Sequence, residues 1–308
     1  MTIYLPIAEL PVNIFTLLAM GIAVGFISGM FGVGGGFLMT PLLIFLGVAP
    51  AVAVASVSTH MAASSLSGAL SYSRKGHVDF RLGGMLLIGG LTGTLGGVLA
   101  FMALRRLGQL DLFIAMSYIT LLGTIGTLMV SESLRALLRN WRGEPVRLRR
   151  PGAHPWFLRL PLKMRFRQSR IYVSAIPVVG IGFAIGFLGS LMGIGGGFIL
   201  VPALIYLLRV PTLTSVGTSL LLTLCTMLTA IVLHSVLNQT VDAVLGLVLM
   251  VGGTIGAQFG VRAGQSMRAE NLRLLLGLLV LCVGARVAID QVVRPADLYT
   301  VKIDESAR

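Results

Sequence analysis

Charged side chains are scarce in this sequence. Asp, Glu, Lys and Arg make up 11% of its 308 residues, against about 25% in a typical soluble domain. Hydrophobic residues make up 56%, so an ordinary soluble enzyme is excluded. A bilayer core about 30 Å thick needs about 20 apolar residues per helix. Uncharged stretches long enough for this requirement cover 10–73, 82–104, 112–131, 171–208, 210–241 and 243–261, with a weaker candidate at 272–290.

The residues of catalytic and metal sites are also missing. The chain has two cysteines, Cys225 and Cys282, both in apolar stretches, and neither a disulfide framework nor zinc-ligand spacing is present. No HExxH, GxSxG or P-loop motif occurs, and the uncharged stretches contain no pair of acids. We therefore expect no enzyme activity, no metal and no cofactor. The glycine cluster at Gly32 does not fit a dinucleotide loop, because the third glycine of GxGxxG would fall on Phe37.

A basic region before the first apolar segment is absent as well. Glu9 is the only charged residue ahead of that segment, which argues against a cleaved signal peptide. We expect the first segment to remain in the mature chain.

An internal repeat is present. The segment GFISGMFGVGGGFLMTPLL from Gly25 matches GFLGSLMGIGGGFILVPAL from Gly186, and after a two-residue slip Val78-Asp79 matches Val241-Asp242. Several glycines then match in order: Gly83 with Gly246, Gly89-Gly90 with Gly252-Gly253, Gly93 with Gly256 and Gly97 with Gly260. The chain is therefore predicted to be all-α and polytopic, with two homologous repeats at 1–130 and 171–290 and a polar C-terminal tail at 291–308.

The linker between the repeats, 131–170, is strongly basic. It holds 11 of the 24 Lys and Arg residues, and its only acids are Glu132 and Glu144. The positive-inside tendency predicts a cytoplasmic linker and an integral, multi-pass protein of the plasma (inner) membrane. A basic pI with Trp156 and Phe157 among arginines could indicate nucleic-acid binding. Contact with anionic headgroups explains the same residues, so we expect the bilayer as partner and no nucleic acid.

The number of crossings has two readings. We predict segments at 12–31, 37–49, 51–72, 81–101, 111–130, 171–192, 198–208, 211–234, 241–261 and 272–290. Five crossings per copy would invert the second repeat relative to the first. Four crossings, with the short segments 37–49 and 198–208 re-entrant, would make the repeats parallel. The distribution of arginine and lysine favours the inverted arrangement.

Two glycine clusters precede the short segments. GVGGGF (Gly32 to Phe37) and GIGGGF (Gly193 to Phe198) are followed by Pro41 and Pro202. The short segments span about 20 Å or less as helices, and the N-terminus of such a half-helix attracts anions. Paired, glycine-interrupted segments in two repeats indicate a transporter's substrate site, although close helix packing is the alternative. The predicted substrate-binding glycines are Gly32, Gly34, Gly35, Gly36, Gly193, Gly195, Gly196 and Gly197. Packing alone is expected for Gly89, Gly93, Gly97, Gly252, Gly256 and Gly260.

Hydroxyl-bearing residues follow each cluster. Hydroxyls can donate to an anion without adding charge, but they can also bond to carbonyls of their own helix. Four were selected as substrate ligands: Ser58, Thr59, Thr218 and Ser219. His60, whose repeat counterpart was taken as Leu221, is a possible proton-coupling group, with a neutral, hydrogen-bonded role as the alternative. Asp79 and Asp242 are predicted to be N-terminal caps of helices.

These motifs resemble those of the sulfite exporter TauE/SafE family (TSUP) of membrane transporters. The resemblance rests on GVGGGF with Pro41, GIGGGF with Pro202, and the polar segments SVSTH and SVGTS. It covers 12–130 and 171–290, and it implies transport, often export, of small sulfur-containing anions such as sulfite, sulfonates or thiosulfate. The sequence thus predicts a secondary carrier. A passive anion channel of the same fold, or a membrane-anchored binding or signalling protein acting through the linker, remains an alternative.

Overall fold

The computed structural model describes residues 2–141, 161–166, 168–169, 171–267 and 269–293. It is 79% helical, with ten α-helices. Six helices are long and apolar enough to cross a membrane. The structure thus confirms a polytopic helical membrane protein. Most of the basic linker, and the tail from 294 onward, lie outside the described residues.

The first half begins with a hairpin of two short strands, β1 (Thr2–Leu5) and β2 (Leu10–Asn13), which the sequence did not predict. Five helices follow, and the second has only 10 residues, as the short segment predicted. The fifth continues to Trp141, well past 130, where the predicted segment ended. The helices are α1 (Ile14–Phe31), α2 (Gly36–Phe45), α3 (Pro50–Arg74), α4 (Phe80–Arg106) and α5 (Leu110–Trp141).

The second half has the same order of elements. A hairpin of β3 (Lys163–Phe166) and β4 (Ile171–Ser174) precedes five helices, of which the second again has 10 residues. The helices are α6 (Ala175–Met192), α7 (Gly197–Tyr206), α8 (Thr212–Leu233), α9 (Ala243–Ser266) and α10 (Ala269–Val293). A π-helical turn, His234–Asn238, extends the end of α8.

Both predicted aspartate caps are confirmed, and each has a second function. The Asp79 carboxylate accepts from two amides at the start of α4 and also from the amide and hydroxyl of Ser169, at 3.0 and 2.7 Å. The Asp242 carboxylate caps α9 and accepts from the amides of Ile7 and Ala8, at 2.9 and 3.3 Å. Each buried carboxylate therefore joins a helix of one half to the hairpin region of the other half.

Glycine packing joins the halves in the membrane region. A Cβ added to Gly25 on α1 would lie 2.4 Å from the carbonyl oxygen of Gly253 on α9, and one on Gly29 would lie 2.3 Å from that of Ala257. The opposed residue numbers rise together, so α1 and α9 are parallel. The pair α4 and α6 packs in the same way. The packing role is confirmed for the six glycines predicted to have it, since a Cβ on each would fall within 3.0 Å of a backbone atom of α1 or α6.

The remaining contacts give two further helix directions. Gly126 of α5 faces Leu281 of α10, and Gly284 of α10 faces Leu122, so α5 and α10 are antiparallel. Gly68 of α3 faces Leu220 of α8, whereas Gly217 of α8 faces Tyr72, so α3 and α8 are also antiparallel. These two central helices bring the glycine clusters of both halves together.

Candidate functional site

The first glycine cluster forms a sharp break between α1 and α2. Helix α1 ends at Gly32, and Gly34 and Gly35 have φ angles of +83° and +81°. Residues with a side chain rarely adopt this conformation, so these two positions require glycine. The second break has the same form at Gly193 and Gly195, whereas Gly196 has an ordinary φ of −47°.

The two breaks lie directly against each other. A Cβ on Gly36 would be 2.4 Å from the carbonyl oxygen of Gly193, and one on Gly197 would be 2.7 Å from that of Gly32. The rings of Phe37 and Phe198, at the beginnings of α2 and α7, stack with centroids 4.9 Å apart. The N-termini of both half-helices therefore converge in one buried region.

Side chains from three other elements bind carbonyl groups of the breaks. The Ser219 hydroxyl on α8 donates to Gly32 O at 2.6 Å, and the Thr40 hydroxyl on α2 donates to Gly193 O at 3.0 Å. The Tyr118 hydroxyl on α5 lies 3.3 Å from Met192 O and 3.5 Å from Gly36 O. These bonds hold the two breaks in their present alignment.

Two buried hydroxyls beside the first break have no hydrogen-bond partner among the described residues. They are Ser65 Oγ on α3 and Thr223 Oγ1 on α8. A Cβ on Gly34 would lie 3.8 Å from Ser65 Oγ and 2.9 Å from Thr223 Cγ2. Met61 lies in the same region, and its sulfur is close to the Cβ positions of both Gly36 and Gly195. An unpartnered buried hydroxyl costs about 1–3 kcal/mol, so this cluster has unused capacity to bind a ligand.

The four predicted hydroxyl ligands lie in different environments. Ser219 is at the break, as described above. Ser58 and Thr59 donate to carbonyls of their own helix, Val54 O at 3.4 Å and Ser56 O at 2.6 Å. Thr218 accepts from the amide of Asp79 at 3.1 Å, at the beginning of α4. The contacts of these last three are therefore those of the alternative, structural role.

His60 packs between α3 and α9. Its Nδ1 lies 2.8 Å from Leu249 O, and a Cβ on Gly253 would collide with the ring. Its Nε2 is buried without a partner among the described residues. Gly90, which the sequence aligns with Gly253, faces Leu222 and Thr226. Leu222 therefore takes the position corresponding to His60, one residue after the Leu221 expected from sequence.

Sequence reasoning missed Met61, Tyr118 and Thr40 at this site. Methionine and threonine are ordinary residues of apolar helices, and nothing in their spacing distinguishes these two. Tyr118 carried a usable signal, because a buried tyrosine in an aliphatic helix needs a hydrogen-bond partner. Ser65 and Thr223 belong to the polar set that follows the clusters, but they were not among the selected four.

The site is closed in this structure. All residues of both breaks are buried, and the largest cavity, of about 750 Å³, lies elsewhere, between α3, α8 and α9. No group of three potential metal ligands occurs among the described residues. The site thus consists of backbone groups, hydroxyls and one thioether.

Comparison with known proteins gives consistent matches. The family model for "Sulfite exporter TauE/SafE" matches residues 17–287. A "Probable membrane transporter protein" of Xylella fastidiosa (strain 9a5c) is 31% identical over 277 residues, covering 88% of this chain and 93% of that protein. "Probable membrane transporter protein YunE" of Bacillus subtilis (strain 168) is 26% identical over 278 residues, covering 88% and 95%.

A plant protein matches over a shorter region. "Sulfite exporter TauE/SafE family protein 1" of Arabidopsis thaliana is 40% identical over 60 residues, which cover 20% of this chain and 13% of that protein. No solved structure matches the chain. Because the family model covers most of the sequence, from α1 to α10, the chain belongs to the TauE/SafE family of membrane transporters.

Proposed function

We propose that this protein is a secondary carrier that exports small sulfur-containing anions, such as sulfite, sulfonates or thiosulfate, across the plasma (inner) membrane. The observation that carries the proposal is the convergence of two half-helix N-termini on one buried region. Two unpartnered hydroxyls, from Ser65 and Thr223, lie in that region. The matching family is described by sulfite export, which agrees with this chemistry.

The proposed ligands suit a small oxyanion. Helix N-termini present amide donors and a partial positive charge of about half an elementary charge. The predicted glycines Gly32, Gly34, Gly35 and Gly36 and their counterparts Gly193, Gly195, Gly196 and Gly197 let an anion approach these amides. Hydroxyl donors then complete the site without a fixed cation. An anion with several acceptor oxygens and a compact shape gains most from such a set of donors.

The closed structure suggests how access is controlled. The Gly193 carbonyl lies against the start of α2 and the Gly32 carbonyl lies against the start of α7, so each break now covers the amides of the other. Met61 fills the space between them. Methionine is unbranched and flexible, and we infer that its displacement accompanies opening of the site.

The moving bodies differ from the sequence repeats. Helices α1 and α9 come from different halves, yet their backbones touch through glycines, as do those of α4 and α6. Close backbone contacts of this kind do not slide easily. We therefore propose that α1, α3 and α9 move as one body and α4, α6 and α8 as the other. Their boundary is the α3–α8 contact, where the breaks meet.

The inverted arrangement is part of the same proposal. If the repeats were parallel, α5 and its counterpart α10 would run in the same direction. They are antiparallel, which supports inversion. With the basic linker 131–170 in the cytoplasm, the C-terminal ends of α3 and α9 would share the cytoplasmic side. Accessibility of single cysteines to an impermeant maleimide in cells tests this orientation.

His60 is proposed as the proton-coupling group. Its Nε2 is free of partners among the described residues, while its Nδ1 is fixed by Leu249 O. A His60→Gln variant keeps one polar group at this position but does not titrate. If the histidine couples protons, this variant should lose proton-driven accumulation while keeping exchange. Equal loss of accumulation and exchange would assign His60 to structure alone.

Flux of labelled sulfite and a panel of sulfonates in proteoliposomes tests the function. A carrier should give saturable flux that accelerates when substrate is present on the opposite side. Saturation without acceleration would indicate a channel, and no flux would indicate a binding or signalling role. Gly35→Val should abolish flux without preventing membrane insertion, because φ is +81° at that position and Val24 lies 2.9 Å from the Cβ site.

A further inference from the structure

An open groove on the membrane-facing surface carries a second inference. It lies between α3, α8 and α9, has a volume of about 750 Å³, and contains none of the glycines of the breaks. We propose that this groove binds one anionic phospholipid, with its phosphate between Arg74 and Arg262 and an acyl chain along the apolar end. This proposal does not depend on the identity of the transported anion.

Polarity changes in one direction along the groove. Arg74 and Arg262 lie near the C-terminal ends of the parallel helices α3 and α9, at its outer end. Gln258 and Ser71 lie about one helical turn, or ~5 Å, deeper. The inner end is lined by aliphatic residues of all three helices, Ala62, Met250, Leu228 and Ile231. This order matches that of a phospholipid, whose phosphate, ester carbonyls and acyl chain follow one another into the bilayer.

The lining residues favour a lipid over a conduit for a small inorganic anion. A sulfite ion would be attracted by the arginines but would have no partner at the aliphatic inner end. Leu66, Leu70 and Leu228 are each more than half exposed, as expected for a surface that an acyl chain covers. None of the lining residues is acidic, so the two guanidinium groups complement an anionic headgroup.

The polar wall of the groove is absent from the other half. Leu91, Leu95 and Leu99 of α4 correspond to Thr254, Gln258 and Arg262 of α9 in the same alignment that pairs the packing glycines. The three leucines are 40–47% exposed, as lipid-facing residues are. Helix α4 packs on α6 as closely as α9 packs on α1, so the polar residues are not needed for the shared packing. They therefore require a separate explanation, which lipid binding provides.

Native mass spectrometry of the purified full-length protein tests the proposal. The protein would be delipidated and then titrated with phosphatidylglycerol or with phosphatidylcholine of the same chains. We expect one phosphatidylglycerol to bind at least fivefold more tightly than phosphatidylcholine. The double variant Arg74→Gln/Arg262→Gln should lose this preference. Arg106→Gln, which removes an exposed arginine at the end of α4, should keep it.

Two further measurements separate the groove from general charge attraction. Ala63→Trp places a bulky side chain among the lining residues without changing charge, and it should weaken phosphatidylglycerol binding at least fivefold. Inorganic phosphate and sulfite at millimolar concentration should not displace the lipid. Displacement by these ions would identify an anion site without a lipid, and equal lipid binding by wild type and the double variant would overturn the proposal. Disulfide-linked dimers of a Ser67→Cys variant would also overturn it, by assigning the groove to a second copy of the chain.

Discussion

The interlocked breaks predict the effect of a single added methyl group. In Gly36→Ala, the new Cβ would lie 2.4 Å from the carbonyl oxygen of Gly193, whereas ordinary contacts are 3.4 Å or longer. The obstacle is backbone, so the two breaks must separate by about 1 Å at that point. Overpacking of this kind costs about 1–3 kcal/mol. If the cost falls on the closed state alone, the ratio of open to closed molecules rises about 5- to 150-fold.

Cysteine labelling measures this shift. The chain has only Cys225 and Cys282, so a cysteine-free background requires two substitutions. In that background, Ser65→Cys places a thiol beside the first break. We expect Gly36→Ala to raise its labelling rate by a membrane-impermeant maleimide about 5- to 150-fold.

Two control variants distinguish opening from misfolding. Gly84→Ala adds a methyl where nothing lies within 4 Å, and labelling should not change. In Gly196→Ala the one close contact is a side-chain atom, Ile185 Cγ2 at 2.2 Å. Its effect should therefore be reversed by Ile185→Ala. If Gly36→Ala elutes as a folded protein yet labels at the rate of Gly84→Ala, our reasoning about the breaks is wrong.

Three other predictions concern binding and stability. Ser65→Ala and Thr223→Val should reduce sulfite flux at least fivefold without lowering thermal stability, because neither hydroxyl has a partner to lose; the control Thr226→Val, whose hydroxyl bonds to its own helix, should transport normally. Asp242→Ala should lower the free energy of unfolding by about 1–3 kcal/mol, since it removes an acceptor of four amides; an unchanged denaturant midpoint would contradict this. Gly25→Ala should separate α1 from α9 and lower the melting temperature, unless the helices pack less closely than the 2.4 Å contact implies.

Much of the fold could be predicted from sequence because the bilayer imposes a simple rule. Long uncharged stretches must form helices, and each helix of the structure lies in a predicted segment. Asp79 and Asp242 were recognisable as caps, because a short acceptor side chain preceded each apolar segment. The hairpins were missed, because β1 and β2 are four-residue strands with too few positions for a clear alternation of polar and apolar residues.

The candidate site was only partly predictable. The duplicated glycines located both breaks, since irregular backbone in a membrane is expected at few places. Periodicity could not decide which hydroxyls face the breaks, because one residue of register separates Thr218, which binds the Asp79 amide, from Ser219, which binds Gly32 O. Likewise, the contact between the two breaks depends on helices distant in sequence, so the sequence gave no sign that Met61 lies between them.

The most direct test of the central claim is a crystal structure of the protein with selenite, a heavier analogue of sulfite, located by its anomalous scattering. Our account predicts a peak between the two glycine breaks, within hydrogen-bonding distance of the Ser65 and Thr223 hydroxyls. A peak only at another position, with the breaks still packed against each other, would contradict it.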